Sequence, residues 1–392
     1  MAIELVDLKK HYPDGTKAVN GLNLTIEDKK LTILIGPSGC GKTTTLKMIN
    51  RLIERSDGDI KFDGTSIDDI NPIQLRREIG YVIQEIGLFP HMTVYENIAI
   101  VPKLLKWNEQ KIKDRVDELL DLVNMDPEIY RSRYPAQLSG GQKQRIGVAR
   151  GLAADPDILL MDEPFGAIDP INREKLQEAF LEIQDKIQKT IVFVTHDIRE
   201  AIKLGDKIAI LDQGKLAQYD DTEEIVHNPS NEFVEDILGS DRALRGLEIM
   251  KVHDYYDKDF FVLEIKDKPN AKDGLEEMKK HNRTYSFVID EKERIMGYVT
   301  KKKLEKADKN KDIKEFIKSA EVVQPYSNLM EGMTIMMASG LSVVPVVNDK
   351  EKILGVLRFK NLLDVFGGLE TPVEGKGPGQ IVEESSSETY QE

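Results

Sequence analysis

The sequence has little cysteine, no long apolar run and no excess of positive charge. A single cysteine, Cys40, cannot form an internal disulfide, so we expect a reducing compartment such as the cytosol. The longest apolar runs, such as residues 158–161, are strand-sized and fall short of the ~18 residues of a transmembrane helix. Residues 1–4 lack the pattern of a secretory signal. If the protein works at a membrane, we expect other subunits to span it.

The composition is that of an acidic protein with packed cores. The 392 residues carry a formal net charge of −14, and 40% of them are hydrophobic. A chain of this length is expected to form two or three domains. The acidic balance argues against a nucleic-acid-binding surface, so we expect no nucleic acid among its partners.

A glycine-rich motif lies between an apolar run at 31–35 and a segment of helical spacing at 44–50. The motif has the pattern G-x-x-x-x-G-K-[ST] and consists of Gly36, Pro37, Ser38, Gly39, Cys40, Gly41, Lys42 and Thr43, with Thr44 next. Backbone N–H groups of such a turn point into one concavity, and the following helix adds its positive end. Lys42 supplies a charge for the β- and γ-phosphates, and the Thr43 hydroxyl is a Mg²⁺ ligand. The strand–turn–helix order favours nucleotide-phosphate binding over a chance glycine turn.

Polar residues also end two buried strands farther along the chain. Asp162 and Glu163 follow the apolar run 158–161, and His196 follows the run 190–195. In phosphoryl-transfer sites a first carboxylate belongs with Mg²⁺, and a second acid in this position can polarise water. The alternative for the acids is a solvated strand end. His196 is either structural or part of a site at the carboxyl edge of the sheet.

Two further signals are weaker on their own. Tyr12 lies in a loop before the phosphate motif, and it either stacks on an adenine or is a partly buried loop tyrosine. A helical segment opens with Ser139, Gly140, Gly141 and Gln142, which form either a second anion-binding helix N-terminus or an ordinary turn and cap.

Taken in order, these motifs resemble those of ABC-type ATPase subunits over about residues 3–235. The resemblance implies an α/β P-loop ATPase domain over 1–238, with a helical subdomain at about 90–155. It also implies ATP and Mg²⁺ as cofactors and a head-to-tail homodimer. The resemblance implies that Tyr12 stacks on adenine and that residues 36–44 bind the phosphates. It implies that Asp162 associates with Mg²⁺, that Gln84 contacts Mg²⁺ and water, and that Glu163 is the general base. It further implies that His196 contacts the γ-phosphate, that Ser139 to Gln142 cap the γ-phosphate of the opposite subunit, and that Asp169 is an acid in the loop that crosses the dimer.

The C-terminal third contains an internal repeat at an offset of 58 residues. Residues 288–299 and 346–357 align with five of twelve positions identical, and each unit reads as helix, two strands with a charged turn, and helix. The pair resembles tandem CBS modules of an α+β type at 248–305 and 312–368, after a linker at 239–247. The repeat is either a structural or dimerisation appendage or a ligand sensor.

The repeat departs from the pattern of CBS modules that bind nucleotide ribose. Such modules commonly have Asp three positions after a Thr or Ser, where this chain has Lys303 and Asn361. Arg358 and the lysines at 301–303 favour a more anionic ligand, either cyclic di-AMP or an anionic membrane surface. The candidate ligand contacts are Tyr285, Tyr326 and Arg358. Residues 369–392, with six acids and one lysine, are predicted to be a disordered acidic tail.

An ABC ATPase with a C-terminal CBS pair resembles the ATPase subunits of bacterial osmoprotectant importers. This implies a permease docked near Gln84 and residues 87–90, an external solute-binding protein, and a location on the cytoplasmic face of the cell membrane. The transported solute would be glycine betaine, carnitine, choline or proline betaine. The alternatives are a soluble ABC ATPase of the translation or DNA-repair type and a regulatory module with an inactive core, which the intact Lys42, Asp162, Glu163 and His196 argue against.

Overall fold

The computed structural model describes residues 1–83, 87–166, 168–266 and 270–367. Backbone contacts divide the chain into two compact units. Unit 1 contains Met1–Asp254 and Val323–Thr334, and unit 2 contains Tyr255–Val322 and the chain from Ile335 onward. No helix in the described ranges combines the length and the apolar character needed to cross a bilayer.

Unit 1 alternates strands and helices along the chain. Its strands are β1 (Ile3–His11), β2 (Lys17–Ile26), β3 (Leu31–Ile35), β4 (Asp57–Phe62), β5 (Thr65–Ser66), β6 (Ile79–Val82), β7 (Ile158–Asp162), β8 (Thr190–Val194), β9 (Lys207–Asp212) and β10 (Lys215–Asp221). Its helices are α1 (Lys42–Ile49), α2 (Pro72–Glu78), α3 (Val94–Leu104), α4 (Glu109–Leu122), α5 (Pro127–Tyr130), α6 (Gly140–Leu152), α7 (Pro170–Ile187), α8 (Ile198–Leu204), α9 (Thr222–His227), α10 (Glu232–Leu238) and α11 (Arg242–Ile249).

A six-stranded sheet positions the site. Its order is β10-β9-β3-β8-β7-β6, and all neighbours are parallel except β10 and β9. Every residue of β3, β7 and β8 is buried, which explains their continuous apolar runs. Since β8 lies between β3 and β7, the carboxyl ends of the three strands meet at one edge. Leu34 and Asp162 both pair with Val194 there.

A second sheet and a helical layer complete unit 1. The second sheet is antiparallel, with the order β2-β1-β4-β5. Helices α3 to α6 fill the interval between β6 and β7, where the sequence predicts a helical subdomain. In α4 the side chains of Ile112, Val116 and Leu119 are all at most 3% exposed, because they repeat at helical spacing along one face.

The remaining elements show the predicted repeat. Helix α12 (Ala271–Lys280), β12 (Tyr285–Ile289), β13 (Ile295–Thr300) and α13 (Lys301–Glu305) correspond to α14 (Leu329–Ser339), β14 (Val343–Val347), β15 (Ile353–Arg358) and α15 (Phe359–Gly367), and β11 (Val262–Glu264) adds a parallel strand beside β12. Tyr285 pairs with Thr300, and Val343 pairs with Arg358, so the two hairpins keep the 58-residue offset.

The charged turns of the two hairpins are joined by reciprocal bonds. The amide of Ile295 donates to the carbonyl of Glu351 at 3.1 Å, and the amide of Ile353 donates to the carbonyl of Glu293 at 3.3 Å. An ion pair between Lys352 and Glu293, at 2.8 Å, reinforces this contact. The repeats therefore meet through equivalent backbone groups, as two copies of one motif related by an approximate two-fold axis do.

The segment Val323–Thr334 groups with unit 1 because it pairs with residues 252 and 253, which follow α11. The amides of Val252 and His253 donate to the carbonyls of Ser327 and Pro325, at 2.9 and 2.8 Å. The predicted module boundaries at 248–305 and 312–368 follow the repeat in the sequence, and the contact division cuts across them. The predicted acidic tail lies outside the described residues.

Candidate active site

Residues of the predicted phosphate loop line one cavity of about 420 Å³ at the carboxyl edge of the six-stranded sheet, together with Glu163 and His196. The loop between β3 and α1 forms one side, and Glu163 and His196 form the other. The loop residues that line it are Ser38, Gly39, Gly41, Lys42, Thr43 and Thr44. The structure thus brings together motifs that the sequence separates by more than a hundred positions.

The phosphate loop ends where α1 begins at Lys42. Gly41 is the N-cap of this helix, and its carbonyl accepts the amide of Thr45 at 2.8 Å. The Lys42 ammonium is buried and donates to the carbonyls of Gly36 and Pro37, at 2.7 and 3.0 Å. A positive charge and the N-terminus of a helix therefore share the cavity, an arrangement that favours anions.

The Thr43 hydroxyl donates to Asp162 Oδ1 at 2.8 Å and joins the loop to the end of β7. Burial raises the pKa of Asp162 above its ordinary value, and the bond from Thr43 counters part of this rise. A hydroxyl and a carboxylate are hard oxygen ligands, and Mg²⁺ in nucleotide sites is commonly held by one or two such groups together with phosphates. Thr43 and Asp162 therefore fit the predicted magnesium ligands.

Glu163 and His196 are in direct contact. His196 Nδ1 lies 3.2 Å from Glu163 Oε2, with the His196 side chain largely exposed and that of Glu163 21% exposed. The backbone of Glu163 has a φ of +43°, and its amide donates to the carbonyl of Val194 at 3.0 Å. A non-glycine residue in this conformation is uncommon and is over-represented at functional sites. The turn holds the Glu163 carboxylate at the cavity next to the loop.

Tyr12 and Asp169, two other predicted site residues in the described ranges, do not line this cavity. Tyr12 is 38% exposed, and the Lys10 ammonium lies 5.1 Å from the centre of its ring. Asp169 is exposed just before α7. Gln84 lies outside the described residues, so its predicted contact with Mg²⁺ and water stays a prediction.

The predicted signature residues form the start of α6, away from the phosphate loop. Ser139 Oγ accepts the amide of Gln142 at 3.3 Å, and Gln142 Oε1 accepts the amide of Ser139 at 2.9 Å, which is a capping box. Ser139 and Gly140 are exposed at the surface of unit 1. Within one chain these residues form an ordinary helix cap, and their contact with the γ-phosphate of an opposite subunit stays a prediction.

A buried polar network of Glu200, Gln177 and Thr195, which the sequence pattern did not predict, lies beside the site. Glu200 is 6% exposed and accepts a bond from Gln177 Nε2 at 3.0 Å, which ties α8 to α7. Burial is the main reason why the pKa of Glu200 is raised, and a bond from Thr195 counters it in part. Thr195 precedes His196, so the network supports the strand end that carries the histidine. The sequence feature that could have indicated this network is Glu200 itself, an acid between the apolar residues of α8.

In unit 2, Tyr285 and Arg358 line a cavity of about 130 Å³, together with Phe260, Phe261, Arg283 and Thr284. Arg358 is already paired, because its Nε lies 2.9 Å from Asp257 Oδ2. The sequence pattern gave no indication of Asp257, since it lies 101 positions before Arg358 in the chain. Tyr326, the third predicted contact, is 62% exposed and belongs to the segment that groups with unit 1. Tyr285 and Arg358 therefore share a cavity that Tyr326 does not line, and all three ligand contacts stay predictions.

Models of two known protein families match the chain, one in its N-terminal half and one near its C-terminus. The model of the ABC transporter family matches residues 19–166, and the model of the CBS domain matches residues 311–368. The chain is 44% identical to the glycine betaine/carnitine/choline transport ATP-binding protein of Bacillus subtilis, over 93% of this chain and 96% of that protein. It is 42% identical to the osmoprotectant import ATP-binding protein of Salmonella typhimurium, over 94% of this chain and 97% of that protein.

Solved structures resemble the ATPase part. The cbiO1 protein of Clostridium perfringens, part of an ABC transporter complex, aligns with a TM-score of 0.54 and 29% identity, over 58% of this chain and 90% of that chain. A dimeric bacterial ABC transporter cassette aligns with a TM-score of 0.50 and 32% identity, over 56% and 98% of the two chains. Together with the family matches, these similarities confirm the predicted fold class of a P-loop ATPase domain followed by CBS modules.

Proposed function

The chain belongs to the ABC transporter family as an ATP-binding, ATP-hydrolysing subunit, and we propose that it powers import of a quaternary amine through a membrane permease. Glycine betaine, carnitine and choline are the proposed solutes. The observation that carries the ATPase chemistry is that the phosphate loop, Glu163 and His196 line one cavity, with Asp162 bonded to Thr43 of that loop. The proposed cargo rests on similarity that extends over nearly the whole of the relatives, beyond the ATPase domain.

The residues of the cavity divide the chemistry between them. Lys42 exchanges its bonds to the carbonyls of Gly36 and Pro37 for bonds to phosphate oxygens, which reduces the charge repulsion at the γ-phosphate. Thr43 and Asp162 would hold Mg²⁺, which would neutralise part of the phosphate charge when bound. Glu163 accepts a proton from the attacking water, and His196 orients the Glu163 carboxylate and contacts the γ-phosphate.

The variant Glu163→Gln tests these roles. The amide keeps the shape of the side chain but cannot accept the proton, so we expect ATP binding to persist while turnover falls by about 10²- to 10⁴-fold. Steady-state ATPase activity and gel filtration with ATP are the measurements, and an ATP-bound dimer should accumulate. Glu178→Gln, an exposed acid on α7, is the matched control. Turnover near that of the wild type in Glu163→Gln would refute the assignment.

A homodimer completes the proposed site. The phosphate loop covers ATP from one side, and the start of α6 of a second subunit, docked head to tail, would cover the γ-phosphate from the other side. Ser139 and Gly140 are exposed for this contact, and the helix start carries partial positive charge. We propose that Asp169 and Tyr12 act at the same composite site, at the subunit boundary and on the adenine. ATP then holds the dimer together, and hydrolysis releases it.

The proposed partners are a permease and an external solute-binding protein, with this subunit on the cytoplasmic face of a bacterial membrane. The permease would contact Gln84 and the neighbouring residues 87–90. Phe89 is 43% exposed there, and its ring packs edge-on against His91 at 6.1 Å. An exposed aromatic is a common anchor of protein–protein contacts.

Reconstitution of the complete transporter in liposomes tests the proposed cargo. We expect ATPase activity to rise when glycine betaine, carnitine or choline is supplied with the binding protein, and labelled solute to accumulate. Proline is the control solute, because it lacks a quaternary ammonium group. Stimulation by none of the quaternary amines would refute the proposed cargo and leave the ATPase assignment unaffected.

We further propose that the CBS pair regulates transport by binding cyclic di-AMP. Arg283 and Arg358 supply positive charge, and Tyr285 and the phenylalanines supply aromatic surface. The cavity is smaller than the roughly 300–1,000 Å³ of a site that encloses a whole small ligand. One subunit would therefore enclose only part of the dinucleotide, and phosphate would compete with Asp257 for Arg358.

Titration calorimetry of the complete chain with cyclic di-AMP tests this regulation. We expect binding that Arg358→Ala weakens. Arg294→Ala is the control, since Arg294 pairs with Asp290 on an exposed turn. An absence of heat at high micromolar ligand would refute the dinucleotide site and favour the alternative, in which the lysines at 301–303 respond to an anionic membrane surface in a salt-dependent manner.

A further inference from the structure

The segment 87–93 between β6 and α3 is hydrogen-bonded to one buried side-chain amide, that of Asn97. Asn97 is 0% exposed, and its Oδ1 accepts the amide of Phe89 at 2.8 Å. Its Nδ2 donates to the carbonyls of Phe89, Met92 and Thr93, at 3.2, 3.1 and 2.9 Å. One side chain thus fixes both ends of the exposed turn. A segment tied in this way moves as a unit with α3.

The segment is also tied to α6, the helix that begins at the predicted signature. Arg150, near the end of α6, donates from a terminal guanidinium nitrogen to the carbonyl of Gly87 at 2.6 Å. Burial lowers the pKa of Arg150 below its ordinary value, which reflects a guanidinium withdrawn from water. The donor is a charged guanidinium, so this bond is stronger than one between two neutral groups.

A second set of bonds links α3 to the start of α6 through residues 130–133. The amides of Val94 and Tyr95, at the start of α3, donate to the carbonyls of Arg133 and Arg131, at 2.8 and 2.9 Å. The adjacent Tyr130 hydroxyl accepts a bond from Gln142 Nε2 at 3.1 Å. The segment 87–93 and α3 are therefore linked to α6 at Arg150 directly and at Gln142 through Tyr130, two points about 12 Å apart for eight residues of helix.

We propose that Arg150 is a positioning residue that couples the segment 87–93 to α6 and thereby links permease contact to placement of Ser139–Gln142 on ATP. This rests on the proposed function, in which the permease contacts residues 87–90. A displacement of the segment pulls on the Gly87 carbonyl, and α6 follows because a hydrogen-bonded helix is stiff along its axis. Without Arg150 the segment 87–93 and α6 would move more independently of each other, and ATP hydrolysis would respond less to solute.

The complete transporter, reconstituted in liposomes with its binding protein, provides the test. Arg150→Ala should leave the basal ATPase activity within about twofold of the wild type and reduce stimulation by glycine betaine by about fivefold or more. Arg150→Lys should restore part of the stimulation, since its ammonium can donate one bond to Gly87. Arg145→Ala is the matched control, because Arg145 lies on the same helix and donates to the carbonyl of Val123 instead, at 3.1 Å.

The outcomes separate the inference from the function on which it rests. Absence of stimulation in the wild type refutes the proposed cargo and the coupling together. Normal wild-type stimulation with full stimulation in Arg150→Ala refutes the coupling alone, as does a loss of basal and stimulated activity by the same factor. If Arg150→Ala does not fold, Arg150→Met carries the test, since it keeps an apolar stem of similar length and cannot donate to Gly87, and full stimulation in it would contradict the proposal.

Discussion

The N-cap of α1 allows a direct test of how the phosphate loop is held. Gly41 has a φ of +102°, and a Cβ atom added to it would lie 2.3 Å from the carbonyl oxygen of Ala18 and 3.1 Å from Val19 Cγ2. The nearer atom belongs to the backbone of β2 and cannot rotate away. Gly39, two positions earlier, has a φ of +83°, and nothing lies within 4 Å of its added Cβ.

The two glycines separate backbone strain from steric contact. An L side chain in the left-handed region costs about 1–3 kcal/mol, and this cost applies to alanine at either position. Overpacking against a well-ordered neighbour adds about 1–3 kcal/mol, and it applies only to Gly41→Ala. Gly41→Ala should therefore lower the free energy of unfolding by about 1–3 kcal/mol more than Gly39→Ala.

Chemical denaturation followed by tryptophan fluorescence measures this difference. The chain has one tryptophan, Trp107, which packs against the core of unit 1, so the signal reports on the unit that contains the loop. Circular dichroism at the same denaturant concentrations checks that one transition is followed. Equal destabilisation by the two variants would refute the close approach between Gly41 and β2.

Two further predictions concern the acids beside the cavity. Because burial raises the pKa of Glu200, the native state binds its proton more tightly than the unfolded chain, and stability falls as pH rises from its ordinary pKa through the raised one. Glu200→Gln should flatten that part of the pH profile in urea denaturation, and an unchanged slope would contradict this. Thr43→Val removes the bond to Asp162 and should raise the Mg²⁺ concentration for half-maximal ATPase activity by about 10- to 100-fold. Thr43→Ser keeps the hydroxyl, so its half-maximal Mg²⁺ concentration should stay near that of the wild type.

The pattern of apolar residues along the sequence predicted the strands and helices whose positions depend on consecutive residues. The apolar run before Gly36 is β3, the helical spacing after it is α1, and the apolar runs ending at Asp162 and before His196 are β7 and β8. The 58-residue repeat predicted matching hairpins, and their registers agree. These features depend on side-chain periodicity and on short-range backbone preferences, which a sequence displays directly.

Contacts across the chain were not predictable in the same way. The bond from Thr43 to Asp162 spans 119 positions, and the bond from Arg150 to Gly87 spans 63. The first exists because β8 lies between β3 and β7 in the sheet, an order that no local pattern encodes. Family resemblance suggested that the site residues converge, but it gave no indication of the pairing of Arg358 with Asp257.

The sequence by itself determined the chemistry that this protein carries: a phosphate loop with its lysine and threonine, two acids and a histidine at strand ends, and a repeated C-terminal module. Only the tertiary structure decided which of these groups touch. Strand order places Asp162, Glu163 and His196 at the phosphate loop, whereas capping places Ser139 and Gln142 at a separate exposed helix start. The physical reason is that residue type and periodicity act over a few positions, whereas the geometry of a site depends on how distant strands and helices pack.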